Sequence, residues 1–128
     1  MKVGLLIICH EGIGPVMLGA TTLMLGEPPL PVKVLSASRD SDPDEVLGHA
    51  TELVKNIDQG AGVLVMTDLY GSTPCNIAKK LGKNNNIRVV SGLNLSMLIR
   101  VMNYPNLAID DLAHKAVSGG QEGIRMVT

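Results

Sequence analysis

Val3–Gly4–Leu5–Leu6–Ile7–Ile8–Cys9–His10–Glu11–Gly12 opens with a short aliphatic run that stops at a histidine, a carboxylate and a glycine. A run of this length without polar alternation is the pattern of a strand buried on both faces. Three more stretches read the same way: Val32–Ala37, Gly62–Thr67 and Ile87–Ser91, each aliphatic, partly β-branched and closed by polar residues or Gly. Helical patterns lie between them. The first runs from Gly14 to Leu25, with Val16, Met17, Ala20, Leu23 and Met24 predicted on its core face, and the three prolines of Gly26–Pro31 stop it. Asp42–Pro43–Asp44–Glu45 starts a second, which runs to about Ile57: a capping Asp, Pro at the first helical position, then carboxylates at the positive end of the helix dipole. Ser72–Thr73–Pro74 opens a third in the same manner, ending near Gly82. Asn94 is predicted to cap a fourth through Met102, and Ile109–Ser118 forms a fifth, closed by Gly119–Gly120. Ile124–Val127 reads as a last short strand.

Strand–helix alternation from the first residues predicts an α/β fold: a doubly wound, mostly parallel sheet with right-handed crossovers. With 128 residues, no repeat and no linker-like stretch, residues 1–128 are expected to form one domain. Such a chain buries roughly two-thirds of its unfolded surface. Without Phe or Trp, the core must be filled by Leu, Val, Ile, Ala and Met. The net charge of −1 and the absence of a basic block give no electrostatic reason to expect nucleic acid or an anionic membrane. No apolar run approaches the ~20 residues that span a bilayer, and no signal peptide is read at the start. Cys9 and Cys75 are too few for a disulfide framework or a zinc knuckle, so a reducing cytoplasm is the expected setting.

In such a sheet, function gathers outside the carboxyl ends of the strands, most of all where the strand order reverses. His10 ends the first strand and Asp68 the third. In a flavodoxin-like order 2-1-3-4 these strands are neighbours, and the two side chains face each other across the switch point. A carboxylate bonded to one imidazole nitrogen fixes the tautomer, leaves the other nitrogen nucleophilic and favours the ring's cationic form. Gly71–Ser72–Thr73–Pro74 then leads into a helix N-terminus, whose free N–H groups suit a phosphoryl group, with Ser72 and Thr73 as hydroxyl donors. Nucleophile, orienting carboxylate and anion donors are the parts of a phosphoryl-transfer site. The plainer roles compete: a structural histidine at a strand end, Asp68 capping a turn, and Ser72 and Thr73 as helix caps. Asn94 reads as a cap, Met97 and Leu98 as core or dimer interface, Cys9 and Cys75 as packing residues, and His49 and His114 as surface residues.

The quoted segments carry a resemblance. The chain resembles the IIA component of the mannose/fructose-type (mannose-fructose-sorbose) bacterial sugar phosphotransferase system. Val3–Cys9 followed by His10 resembles the family's phosphorylated histidine and its strand. Asp68–Leu69–Tyr70–Gly71–Ser72–Thr73–Pro74–Cys75–Asn76–Ile77–Ala78 resembles its D-x-x-G-[GS]-[ST]-P-x-N-x-A segment, and Gly92–Leu93–Asn94–Leu95–Ser96–Met97–Leu98 its G-x-N-x-x-M-L segment. Glu122–Gly123–Ile124 resembles its C-terminal end. The resemblance implies that His10 accepts phosphate from the histidine phosphocarrier HPr on the ring nitrogen remote from the backbone, while Asp68 bonds the other. It implies transfer in trans to a IIB component, and from there to a sugar entering through membrane permease subunits. It also implies a homodimer in which the C-terminal strand pairs with the partner's sheet. No cofactor or metal is implied. Three positions depart from the family pattern: Glu11 where Gly is common after the histidine, Ser72 in place of the second Gly, and Ser96 in place of Pro.

Within this reading, the chain either feeds a sugar permease or reports the system's phosphorylation state as a regulator. A related function is the phosphoryl-transfer subunit of a dihydroxyacetone kinase, which shares the histidine and the fold. A function of another class is a non-enzymatic anion- or nucleotide-binding module, against which stands the lack of Gly-x-Gly-x-x-Gly and Gly-x4-Gly-Lys-[Ser/Thr] loops. A metal hydrolase would have only His10, Asp68 and Glu11 as ligands.

Overall fold

The computed structural model describes residues Met1–Thr128. The aliphatic runs form strands β1 (Gly4–Cys9), β2 (Val32–Ser36), β3 (Val63–Thr67) and β4 (Ile87–Ser91), each within one residue of the predicted bounds. The helices are α1 (Ile13–Leu25), α2 (Pro43–Ile57), α3 (Thr73–Leu81), α4 (Leu95–Met102) and α5 (Ile109–Glu122). All strand pairs are parallel and the order is β2-β1-β3-β4, as predicted. Every residue of β1 and β3 is buried, which explains why these central strands lack alternation, whereas the edge strands β2 and β4 are partly exposed.

The two-residue period of the strands sorts the core into two layers. Ile7, Cys9, Leu64 and Met66 pack on one face beneath α1, α4 and α5, with Leu98 and Leu112 fully buried among them. Leu6, Ile8, Val63 and Val65 pack on the other beneath α2 and α3, against Ala50, Val54 and Ala78. Asp42 caps α2 by accepting from the Asp44 N–H at 2.9 Å, and Asn94 caps α4 by accepting from the Met97 N–H at 2.8 Å, both as expected from sequence.

Two expectations are corrected, and a third, the C-terminal strand, does not form within a single chain. The core face of α1 is only partly the one predicted: Met17 packs against the core, but Val16 and Leu23 are 71% and 90% exposed, and Met24 is also exposed. Gly14 and Thr21 are buried instead, with Met17 and Leu18 packed beside the core. The helix is apolar nearly all round, so side-chain size chooses the face. A Cβ on Gly14 would lie 2.6 Å from Val34 Cγ1, so glycine there lets the helix approach the sheet. The Thr21 hydroxyl is satisfied by donating to the Met17 carbonyl at 2.9 Å. Helix α5 does not close at Gly119–Gly120 but continues to Glu122. Those glycines are helical because α4 lies against them: a Cβ on Gly119 would meet the Arg100 side chain, and one on Gly120 would lie 3.1 Å from Met97 Cε. Finally, Ile124–Val127 lies in no helix or strand and its apolar side chains are exposed. A strand exists only where a neighbour pairs its N–H and C=O groups, and no strand of the same chain pairs with this segment.

Thr67, the last residue of β3, is fully buried, and its Oγ1 has no hydrogen-bond partner. A buried hydroxyl without a partner loses its hydration for no return. Thr67→Val, nearly the same shape, is therefore expected to stabilise the protein by about 1 kcal/mol. Urea unfolding should show a higher midpoint at unchanged slope; a lower midpoint would mean that the hydroxyl makes a bond the wild type depends on.

Candidate functional site

The strand order turns back on itself between β1 and β3, and the carboxyl ends of these two strands carry His10 and Asp68. The register sets Ile8 beside Thr67, so the residues that follow emerge side by side at one edge of the sheet. His10 Nδ1 lies 2.8 Å from Asp68 Oδ2. The same oxygen accepts the His10 backbone N–H at 3.0 Å, and Oδ1 accepts the Leu69 N–H at 3.0 Å. The carboxylate is thus held on both oxygens while it holds the imidazole. The sequence predicted the pair; the two backbone bonds that lock Asp68 leave no mark in residue identity.

Asp68 is largely buried, while the His10 side chain is 38% exposed. Burial is the largest single influence on the Asp68 carboxyl and pushes its pKa up. The hydrogen bonds from the His10 ring and backbone, with the charge of the ring, together outweigh it and hold the carboxyl below its ordinary value of 3.8. Asp68 is therefore ionised at neutral pH and accepts from Nδ1–H. That fixes the tautomer and leaves the Nε2 lone pair free. The neighbouring Cys9 thiol is pushed up to about 12, by burial first and by the Asp68 charge second. It stays a neutral thiol and acts as a small apolar core residue.

The turn after Asp68 delivers its groups unequally. Gly71 adopts a left-handed φ of +80°, which glycine accommodates without strain. Ser72 occupies the cap position of α3 but makes no side-chain cap bond. Its hydroxyl donates to the Leu69 carbonyl at 2.6 Å and its N–H to the same oxygen at 3.2 Å. Thr73, the first residue of the helix, keeps its hydroxyl and its N–H free of partners in the chain, as do the Gly71 and Cys75 N–H groups, while Pro74 has no N–H to satisfy. Of the three residues expected to donate to an anion, Gly71 and Thr73 therefore keep free donors, whereas those of Ser72 are engaged by the Leu69 carbonyl. No three His, Cys, Asp or Glu side chains converge anywhere in the structure, so His10, Asp68 and Glu11 do not form a metal-ligand set.

Residues 4–117 match the family model described as the fructose IIA component of the phosphotransferase system. The chain belongs to this phosphotransferase-system IIA family. Two solved IIA structures are similar along nearly their whole length. The mannose/sorbose-specific IIA subunit from Enterococcus faecalis is 28% identical with a TM-score of 0.87, over 100% of this chain and 96% of that one. The phosphotransferase-system component EIIA from Streptococcus agalactiae is 27% identical with a TM-score of 0.83, over 97% and 96%. A IIA protein associated with the fucose utilization operon of Streptococcus pneumoniae shares the fold at 22% identity and a TM-score of 0.81, over 99% and 94%. Membership of the IIA family supports a phosphocarrier role in a sugar phosphotransferase system. No helix of this IIA protein is long and apolar enough to cross a membrane.

Proposed function

We propose that this IIA protein carries a phosphoryl group on His10 Nε2, taken from phospho-HPr and passed to a IIB component in trans, in the cytoplasm. The observation that carries this reading is the 2.8 Å bond between His10 Nδ1 and Asp68 at the switch point of the sheet. In the transfer step the Nε2 lone pair attacks phosphorus and a new N–P bond forms. The donor's N–P bond breaks, and its electron pair returns to the donor ring. The Nδ1 proton stays on the bond to Asp68, whose charge favours the cationic ring as the bond forms. Little covalent chemistry is asked of the protein, so positioning and electrostatics do the work. The Thr73 hydroxyl and N–H, with the Gly71 and Cys75 N–H groups, are the donors assigned to the phosphoryl oxygens, and Ser72 shapes the turn that presents them.

A homodimer belongs to the same proposal. Ile124–Val127 is apolar, exposed and unpaired within the chain, and β4 is an edge strand, so a second copy would supply the pairing that each copy lacks. As in the family, the phosphoryl group would continue from IIB to a sugar entering through membrane permease subunits. The test is a chase: the chain is labelled from phosphoenolpyruvate through enzyme I and HPr, then mixed with a mannose-type IIB protein. Label that moves to IIB supports the reading. Label that moves only to dihydroxyacetone, in the presence of the kinase subunits, would replace it by the kinase reading.

A further inference from the structure

Glu11 follows His10 directly and is exposed on a tight turn, in which the Ile13 N–H donates to the His10 carbonyl at 3.2 Å and Gly12 takes a φ of +88°. Glu11 borders a cleft of about 150 Å³ whose other walls are Ser36, Ala37, Ser38 and Ser41. The cleft is tied to the site, because the Ala37 N–H donates to the carbonyl of Cys9, the residue before His10, at 2.9 Å. Two of its three hydroxyls are tied together: Ser41 Oγ accepts from the Ser38 N–H at 3.1 Å and lies 3.3 Å from Ser38 Oγ. Every polar side chain lining this space carries a carboxylate or a hydroxyl, and none is cationic. Glu11 is in none of the chain's ion pairs, nor is Arg39 on the neighbouring loop. That loop and the start of α2 carry Asp40, Asp42, Asp44 and Glu45 against the single Arg39. This flank of His10 is therefore acidic, at the place where a phosphoryl group, itself an anion, has to arrive.

We propose that Glu11 and the serine-lined cleft receive a basic side chain, guanidinium or ammonium, from the protein that exchanges phosphoryl groups with His10. A carboxylate flanked by hydroxyl acceptors suits a cation with several N–H donors. A cation seated there offsets the charge of Glu11 while the phosphoryl group crosses, and the acidic flank steers a basic face toward His10. Partners without a cation at that position meet an uncompensated carboxylate, so Glu11 selects among phosphocarriers. Glu11 is a specificity residue here, not a catalytic one.

The inference rests on the phosphocarrier reading, and transfer kinetics from phospho-HPr separate the two. Because Glu11 makes no bond in the fold, Glu11→Gln and Glu11→Asp should unfold like the wild type. Glu11→Gln is expected to raise KM for phospho-HPr about fivefold at low ionic strength while kcat changes less than about twofold. The difference should shrink as salt is added, and Glu11→Asp, which keeps the charge, should stay near the wild type. An unchanged KM in Glu11→Gln, or a loss confined to kcat, overturns the proposal while leaving the phosphocarrier reading intact. A wild-type protein that takes no phosphoryl group from phospho-HPr overturns both.

Discussion

His10→Ala is expected to take up no phosphoryl group from phospho-HPr while keeping its fold. The loss should be complete, not graded, because the only nucleophile at the switch point has gone and no neighbour replaces it. Cys9 is a neutral thiol, held up to about 12 chiefly by burial, and Ser72 has its hydroxyl proton engaged by the Leu69 carbonyl. The fold should survive because the His10 side chain is 38% exposed and contributes mainly its bond to Asp68. Asp68 would still accept the backbone N–H groups of His10 and Leu69, so its charge is not orphaned. The expected stability loss is about 1.5–3 kcal/mol, as for one hydrogen bond to a charged group. Circular dichroism and urea unfolding would check the fold, and a filter or gel assay of labelled protein would check the uptake.

The second large effect belongs to Asp68. Without its carboxylate nothing fixes the Nδ1–H tautomer, and the cationic ring that accompanies N–P bond formation loses its counter-charge. Asp68→Ala should slow phosphoryl uptake by about 10² or more, the usual scale for a positioned acid–base partner. The effect should fall on kcat, because the docking surface is unchanged. The same residue predicts an acid limb of stability. The folded Asp68 carboxyl lies below its ordinary value of 3.8, so on acidification the unfolded chain binds the proton first. Its contribution is full above about 3.8 and is lost as pH falls through the lower folded value. Asp68→Asn should be less stable than the wild type at neutral pH and should lack this part of the acid dependence. Parallel stability curves for the two proteins below pH 4 would contradict that assignment.

The strands and their order were legible because aliphatic, β-branched runs between helix starts leave few alternatives to a parallel sheet. From that order alone, the ends of β1 and β3 become neighbours, and the sequence by itself pairs His10 with Asp68. Helix α1 was legible as a helix but not in its orientation. Apolar residues occupy all its sides, and Gly14 and Thr21, which a hydropathy reading discounts, decide which side meets the sheet. The end of α5 was hidden for a related reason: Gly119 and Gly120 stop a helix in isolation but not one on which α4 rests. At the site, residue types indicated an anion-binding turn, yet the bonds from Ser72 to Leu69 leave the free donors on Gly71, Thr73 and Cys75. The Glu11 cleft could not be read from sequence, because Ser36, Ser38 and Ser41 gain meaning only once β2 is laid beside β1.

The most direct test of the central claim is the intact mass of the protein after incubation with phosphoenolpyruvate, enzyme I and HPr. The account predicts one added phosphoryl group per chain, labile to acid as an N–P bond is, present in the wild type and absent in His10→Ala. A phosphoryl group that survives in His10→Ala, or a wild type that gains none, would contradict it.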